Sequence, residues 1–100
     1  MRASGKNDLD NKAIARRLRA LRTYISGNDH GSRSKFAAKI GIKYKRWMNF
    51  EHGYPLPKDM GTRLVLAIPG LTLDWIYLAR EGGLPLRLRR ELKEAGKAVD

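Results

Sequence analysis

Two lysines, an arginine, an asparagine and a histidine are interleaved with aromatic residues in the run KYKRWMNFEH, residues 43 to 52. Set at about 100° per residue, Trp47, Phe50 and Glu51 share one helical face. Lys45, Met48, Asn49 and His52 share the opposite face, and Tyr44 and Arg46 lie on the flanks. Trp47 and Phe50 are predicted to anchor this helix in a core. The outward face then carries long hydrogen-bond donors, whose chemistry is recognition of an anionic partner rich in acceptors. The alternative for any basic helix is a plain solvated face, and the surrounding elements must choose between the two.

Reaction chemistry finds less support. His30 and His52 are the only imidazoles, and no ligand cluster lies beside either. Asp29 with His30 lacks a positioned nucleophile, and there is neither a phosphate-cradling glycine loop nor a recognisable pair of acids. With no cysteine, thiol catalysis and Cys-rich zinc sites are excluded. The expectation is a non-enzyme with no catalytic residue, no metal and no cofactor.

The charge balance points the same way as the opening run. A formal net charge of +11 on 100 residues favours polyanions, either nucleic acid or an anionic membrane surface. No segment approaches the roughly 18 continuous apolar residues of a membrane span, and the first residues lack the apolar stretch of a signal peptide. A cytoplasmic protein with no membrane partner is the expectation.

The elements that must position the run are all helical. Residues 1 to 10 read as a flexible arm that carries Arg2 and Lys6. From Asp10, the residues Ile14, Leu18, Leu21 and Ile25 trace one stripe, with Arg16 and Arg19 facing away and Gly27 closing the helix. After the turn GNDHG, Ser32 is the expected N-cap of a helix carrying Phe36, Ala37 and Ile40 inward, stopping at Gly41. The next helix runs from about Tyr44 to His52, and Gly53, Pro55 and Pro57 close it.

A fourth helix over residues 58 to 68 offers Leu64, Val65, Ala67 and Ile68 to the core. Thr72 caps a fifth, with Leu73, Trp75, Ile76 and Leu78. A last helix begins near Pro85, and its stripe is Leu84, Leu88, Leu92, Ala95 and Val99. This stripe is expected either to pack back on its own domain or to serve as a dimerisation arm. The predicted fold is all-α, a compact domain of five to six helices. Residues 11 to 82 form a helix-turn-helix domain and residues 83 to 100 a C-terminal amphipathic helix.

Two helices joined by a tight glycine turn make a helix-turn-helix, whose second helix lies in the major groove of duplex DNA with its N-terminal residues nearest the bases. Lysine can donate to guanine O6 and N7, and asparagine can pair with adenine N6 and N7. Lys45 and Asn49, one turn apart, are therefore the first candidates for base readout. Lys43 and Tyr44 either read a neighbouring pair or touch phosphate. Arg33, Lys35, Lys39 and Arg46 suit backbone contacts, as does His52, and the first turn at Ser32 adds N–H groups that favour a phosphate.

The segment resembles the lambda repressor and Cro type of helix-turn-helix, a widespread phage and bacterial repressor family, over roughly residues 13 to 80. The matching signals are Ser32, Arg33, Phe36, Ala37, Ile40, Gly41 and Ile42, then Trp47, Phe50, Glu51 and Gly53, then LAIPGLTLDWIYL from Leu66. The resemblance implies that Lys43, Tyr44, Lys45 and Asn49 approach bases, and that Arg33 and Arg46 approach phosphates. It also implies that Glu51 turns inward to pair with Arg22, which would account for an acid on the apolar side of the wheel. The chain departs from the family at Arg33, commonly Gln, and at Lys43, commonly Ser or Thr. A lysine cap costs on the order of 1 kcal/mol relative to a good one.

The function implied is a sequence-specific double-stranded DNA-binding transcriptional regulator, a phage- or prophage-type repressor. It would act as a homodimer on an inverted repeat. Two alternatives stand beside it. One is the antitoxin of a toxin and antitoxin pair, with a toxin-like protein partner; the other is an architectural binder that recognises nucleic-acid charge alone.

Overall fold

A computed structural model describes residues 9 to 99, with the side chain of Val99 excepted. Residues 1 to 8 of the predicted arm, with Arg2 and Lys6, therefore lie outside the described residues, as does the side chain of Val99, the last member of the C-terminal stripe; Asp10, assigned to the arm, is instead the N-cap of the first helix. Among those described there are six helices and no strand: α1 (Asn11–Ser26), α2 (Ser32–Ile40), α3 (Tyr44–Glu51), α4 (Lys58–Ala67), α5 (Leu73–Leu78) and α6 (Leu86–Val99). The radius of gyration, 12.7 Å, is that of one packed domain of this length, for which about 13 Å is expected.

Helix α1 starts where the sequence says it should, because the Asp10 carboxylate accepts the Ala13 N–H at 2.8 Å. Its stripe of Ile14, Leu18 and Leu21 is buried, and Ile25 packs at the edge of the core. Helix α2 starts differently from the prediction. Gly31, with a φ of 94°, is the N-cap, and Ser32 is the first helical residue. Ser32 cannot cap because its hydroxyl is turned inward, where it accepts from Arg22 Nη1 at 3.3 Å.

Between α2 and α3 the chain turns in three residues. Gly41 takes a left-handed φ of 83°, which lets its N–H and that of Ile42 reach back to the Ala37 carbonyl, closing α2. Lys43 is the N-cap of α3, in extended conformation and without a side-chain capping bond, as its chemistry requires.

In α4 the buried stripe is Met60, Leu64 and Ile68, with Gly61 beside it, whereas Ala67 is exposed rather than inward. The four-residue spacing of this stripe is that of one helical face, and Ala67, three residues after Leu64, falls outside it. Gly61 is where Tyr77 of α5 crosses: a Cβ there would lie 2.7 Å from the tyrosine oxygen. That oxygen donates to the Leu56 or Pro57 carbonyl, each at 2.9 Å, and so ties α5 to the loop before α4.

Thr72 caps α5 as predicted, accepting from the Trp75 N–H at 3.0 Å. Helix α6 packs chiefly along α1, and Leu84, Leu88, Leu92 and Ala95 are all buried. Its stripe is thus covered by its own domain. Gly96 does not break it, and faces Ala20 of α1 where the two helices come close.

Candidate functional site

One carboxylate fixes α3 to the rest of the molecule. Glu51, 1% exposed, accepts Arg22 Nε on Oε2 at 3.0 Å and Arg22 Nη2 on Oε1 at 2.9 Å, a fork-to-fork pair. Trp47 Nε1 donates to Oε2, and Arg33 Nε donates to Oε1 at 3.1 Å. The backbone carbonyl of Glu51 accepts from Arg19 Nη1 at 2.7 Å, so Arg19, expected to face away, is instead bonded to α3. Burial by itself would raise the Glu51 pKa. The hydrogen bonds and charge of Arg22, with those of Trp47 and Arg33, outweigh it and hold the carboxyl below its ordinary range.

Arg22 does more than neutralise that acid. Its Nη1 also reaches the Gly27 carbonyl and the Ser32 hydroxyl, each at 3.3 Å, so one buried guanidinium ties the end of α1, the start of α2 and the end of α3. The aromatic anchor completes the mounting. Trp47 is fully buried, its ring 4.7 Å from that of Phe36 and edge-on to Phe50 at 6.4 Å.

With α3 held this way, its outward side is defined. Lys43, Tyr44, Lys45 and Asn49 are all exposed, Lys45 and Asn49 on successive turns. Met48, predicted on this face, is half-buried. Arg46 is exposed on the flank, its guanidinium 5.9 Å from the Phe50 ring centroid. His52 is exposed at the C-cap.

On α2, Lys35 and Lys39 are exposed. Arg33 is 44% exposed, and beyond the Nε bond to Glu51 its terminal nitrogens carry charge to the surface. Ser32 stands apart from these residues: it is buried, and its N–H donates to the Asp29 carbonyl at 3.1 Å.

Two cation-lined grooves flank α3. One, of about 350 Å³ beside the α2–α3 turn, is bordered by Lys43, Arg46 and Arg63. The other, of about 300 Å³ at the far end of α3, is bordered by Lys12, Arg16, Arg19 and His52. Sequence reasoning gave no site role to Arg63 or to the three cations of α1. The α1 set was visible as a stripe at i, i+4 and i+7. Arg63 was not, because its place depends on the tertiary approach of α4 to Gly41, where a Cβ would lie 3.4 Å from Arg63 Nη1.

No family model, curated protein or solved structure matches this chain. Among the described residues, no group of histidines and acids could hold a metal ion, and no helix is long and apolar enough to cross a membrane.

Proposed function

We propose that α2 and α3 form a helix-turn-helix of the lambda repressor and Cro type. On this reading the chain is a sequence-specific double-stranded DNA-binding regulator, a phage- or prophage-type repressor acting as a dimer on an inverted repeat. The observation that carries this is the arrangement around α3. A short helix, locked from behind by Glu51 and Trp47, exposes Lys45 and Asn49 between two grooves lined with cations. A helix in the major groove meets base edges on its outward face and a phosphate backbone on either side. Lys45 and Asn49 supply donors to the first, and Arg46, Arg63, Arg16 and His52 supply charge to the second.

The test is selection of bound duplexes from a randomised library at near-physiological salt, run in parallel with Lys45→Ala and Asn49→Ala. The expected result is an inverted repeat with half-sites about 34 Å apart, and a preference that relaxes at one position in each variant. A pool that shows binding without enrichment assigns the chain to charge-only recognition. No binding at all removes DNA as the partner.

A further inference from the structure

The cations of α6 lie on a side of the molecule that the grooves beside α3 do not reach, since α6 packs along α1 and not against α3. With Leu88, Leu92 and Ala95 buried, a period of about 100° per residue turns Arg90, Lys93 and Lys97 away from the core, and all three are exposed. At about 1.5 Å per residue, Arg90 and Lys97 stand roughly 10 Å apart along the axis. Over that length one strand of a duplex presents about three phosphates.

These charges are not taken up within the chain. Lys97 faces Glu94 at 3.6 Å, but both side chains are largely in water, where such a pair contributes little. Among the described residues no ion pair joins Arg90 or Lys93 to a carboxylate, and none joins Lys12 or Arg16 of α1.

The second observation is continuity. Helix α1 contacts both α3 and α6, and its exposed residues Lys12 and Arg16 connect the two sides. Both border the groove at the far end of α3, together with His52. Arg16 also borders the hollow between α1 and α6, and Lys93 stands on the α6 side of that hollow. A line of positive charge thus leaves the end of α3 at His52, crosses α1 at Lys12 and Arg16, and continues on α6 at Lys93 and Arg90. Of the acids nearby, Glu51 is buried under Arg22, the Asp10 carboxylate accepts the Ala13 N–H, and Glu81 borders the hollow.

We infer that this line continues the DNA-binding surface: duplex flanking the site read by α3 lies against Lys12 and Arg16 and reaches Lys93 and Arg90 of α6. The inference rests on the reading of α3 as the helix in the major groove, and adds to it a contact that is independent of sequence. Charge complementarity calls for a polyanion, and duplex DNA is the polyanion that the adjoining groove would already hold in place. The longest dimension of the protein is 38 Å, close to one turn of duplex at about 34–36 Å, so the α6 contacts fall within about one turn beyond the half-site.

The experiment is fluorescence anisotropy of the full chain on two duplexes centred on one sequence, the selected site or, if none is enriched, a mixed sequence. One has about 20 base pairs, and the other about 40, which adds a turn on each side. Salt is varied from about 50 to 200 mM. The variants are Arg90→Gln with Lys93→Gln and, as a charge-matched control, Arg80→Gln with Arg87→Gln, both exposed and outside the line. The expected result is that the Arg90 and Lys93 variant makes the salt slope on the long duplex shallower by about 2 per protomer and leaves the short duplex unchanged, whereas the control alters neither. Equal changes in the two variants, or none in either, overturn the inference. So does a loss on the short duplex as large as that on the long one, which would place α6 at the central site itself. Lys45→Ala on the short duplex keeps the two readings apart. If it weakens binding there while the Arg90 and Lys93 variant changes nothing, α3 remains the reading helix and the flanking contact is struck out; if it leaves binding to the selected site intact, the α3 reading fails and the flanking assignment falls with it.

Discussion

Glu51 is the residue on which the α3 mounting turns, and it makes a sharp case for how a buried charge acts. Its carboxylate is out of water and holds three donor side chains, so removing its charge leaves the Arg22 guanidinium buried without a counter-ion. Glu51→Gln should cost about 3–5 kcal/mol in a denaturant melt at neutral pH. The sign of its pH dependence follows from the lowered pKa. Stability from ionised Glu51 is fully present above the unfolded value of about 4.3, and is lost as pH falls through the lower folded value. The deficit of Glu51→Gln against the parent should therefore shrink below about pH 4; a deficit constant from pH 7 to pH 3 would show that the ionised carboxylate adds nothing. An acid on the apolar face was legible in the sequence as an anomaly that needed a cation. That Arg22 would also gather Gly27 and Ser32 was not, since those bonds depend on how the GNDHG loop folds.

Helix positions were read well where an apolar stripe had a clear period and a capping residue, as in α1 with Asp10 and α5 with Thr72. They were read less well where a backbone exception took over. The start of α2 is set by the left-handed Gly31, and Ser32, of a type favoured at N-caps, was drawn inward by Arg22 instead. Gly61 is the same kind of case at the α4–α5 crossing. Nothing in the sequence marks it as a close approach, yet Tyr77 leaves no room for a Cβ. Gly61→Ala should cost about 1–3 kcal/mol by forcing the ring off its carbonyl partners, despite alanine's better helix propensity. Combining it with Tyr77→Leu should recover part of that loss. A stabilised Gly61→Ala would mean that the ring yields freely. On α3 the mounting predicts that Trp47→Ala costs about 3–5 kcal/mol, read as a fall in melting temperature. If the melting temperature is unchanged, the anchor lies elsewhere.

The distribution of charge belongs to the molecule as a whole, and it separates specific recognition from simple attraction. Cations of α1, α3 and α4 come to the grooves beside α3 only because the helices pack as they do, and Arg63 joins them from far along the chain. Each cation that neutralises a phosphate releases condensed counter-ions, so the logarithm of affinity falls linearly with the logarithm of salt, with a slope near −0.9 per contact on duplex DNA. If Arg63 reaches a phosphate beside the α2–α3 turn, Arg63→Met should weaken binding to cognate and unrelated duplexes alike and reduce the steepness of that slope by about 1. Asn49→Ala should leave the slope unchanged and lower affinity for the cognate duplex alone, by roughly 1–3 kcal/mol. The two variants thus report on different quantities, and fluorescence anisotropy measured from about 50 to 200 mM salt on both duplexes resolves them. An unchanged slope in Arg63→Met would remove α4 from the backbone-contacting surface. A cognate-selective loss in that variant would instead bring α4 to the base edges and overturn the division between a reading helix and its flanking clamps.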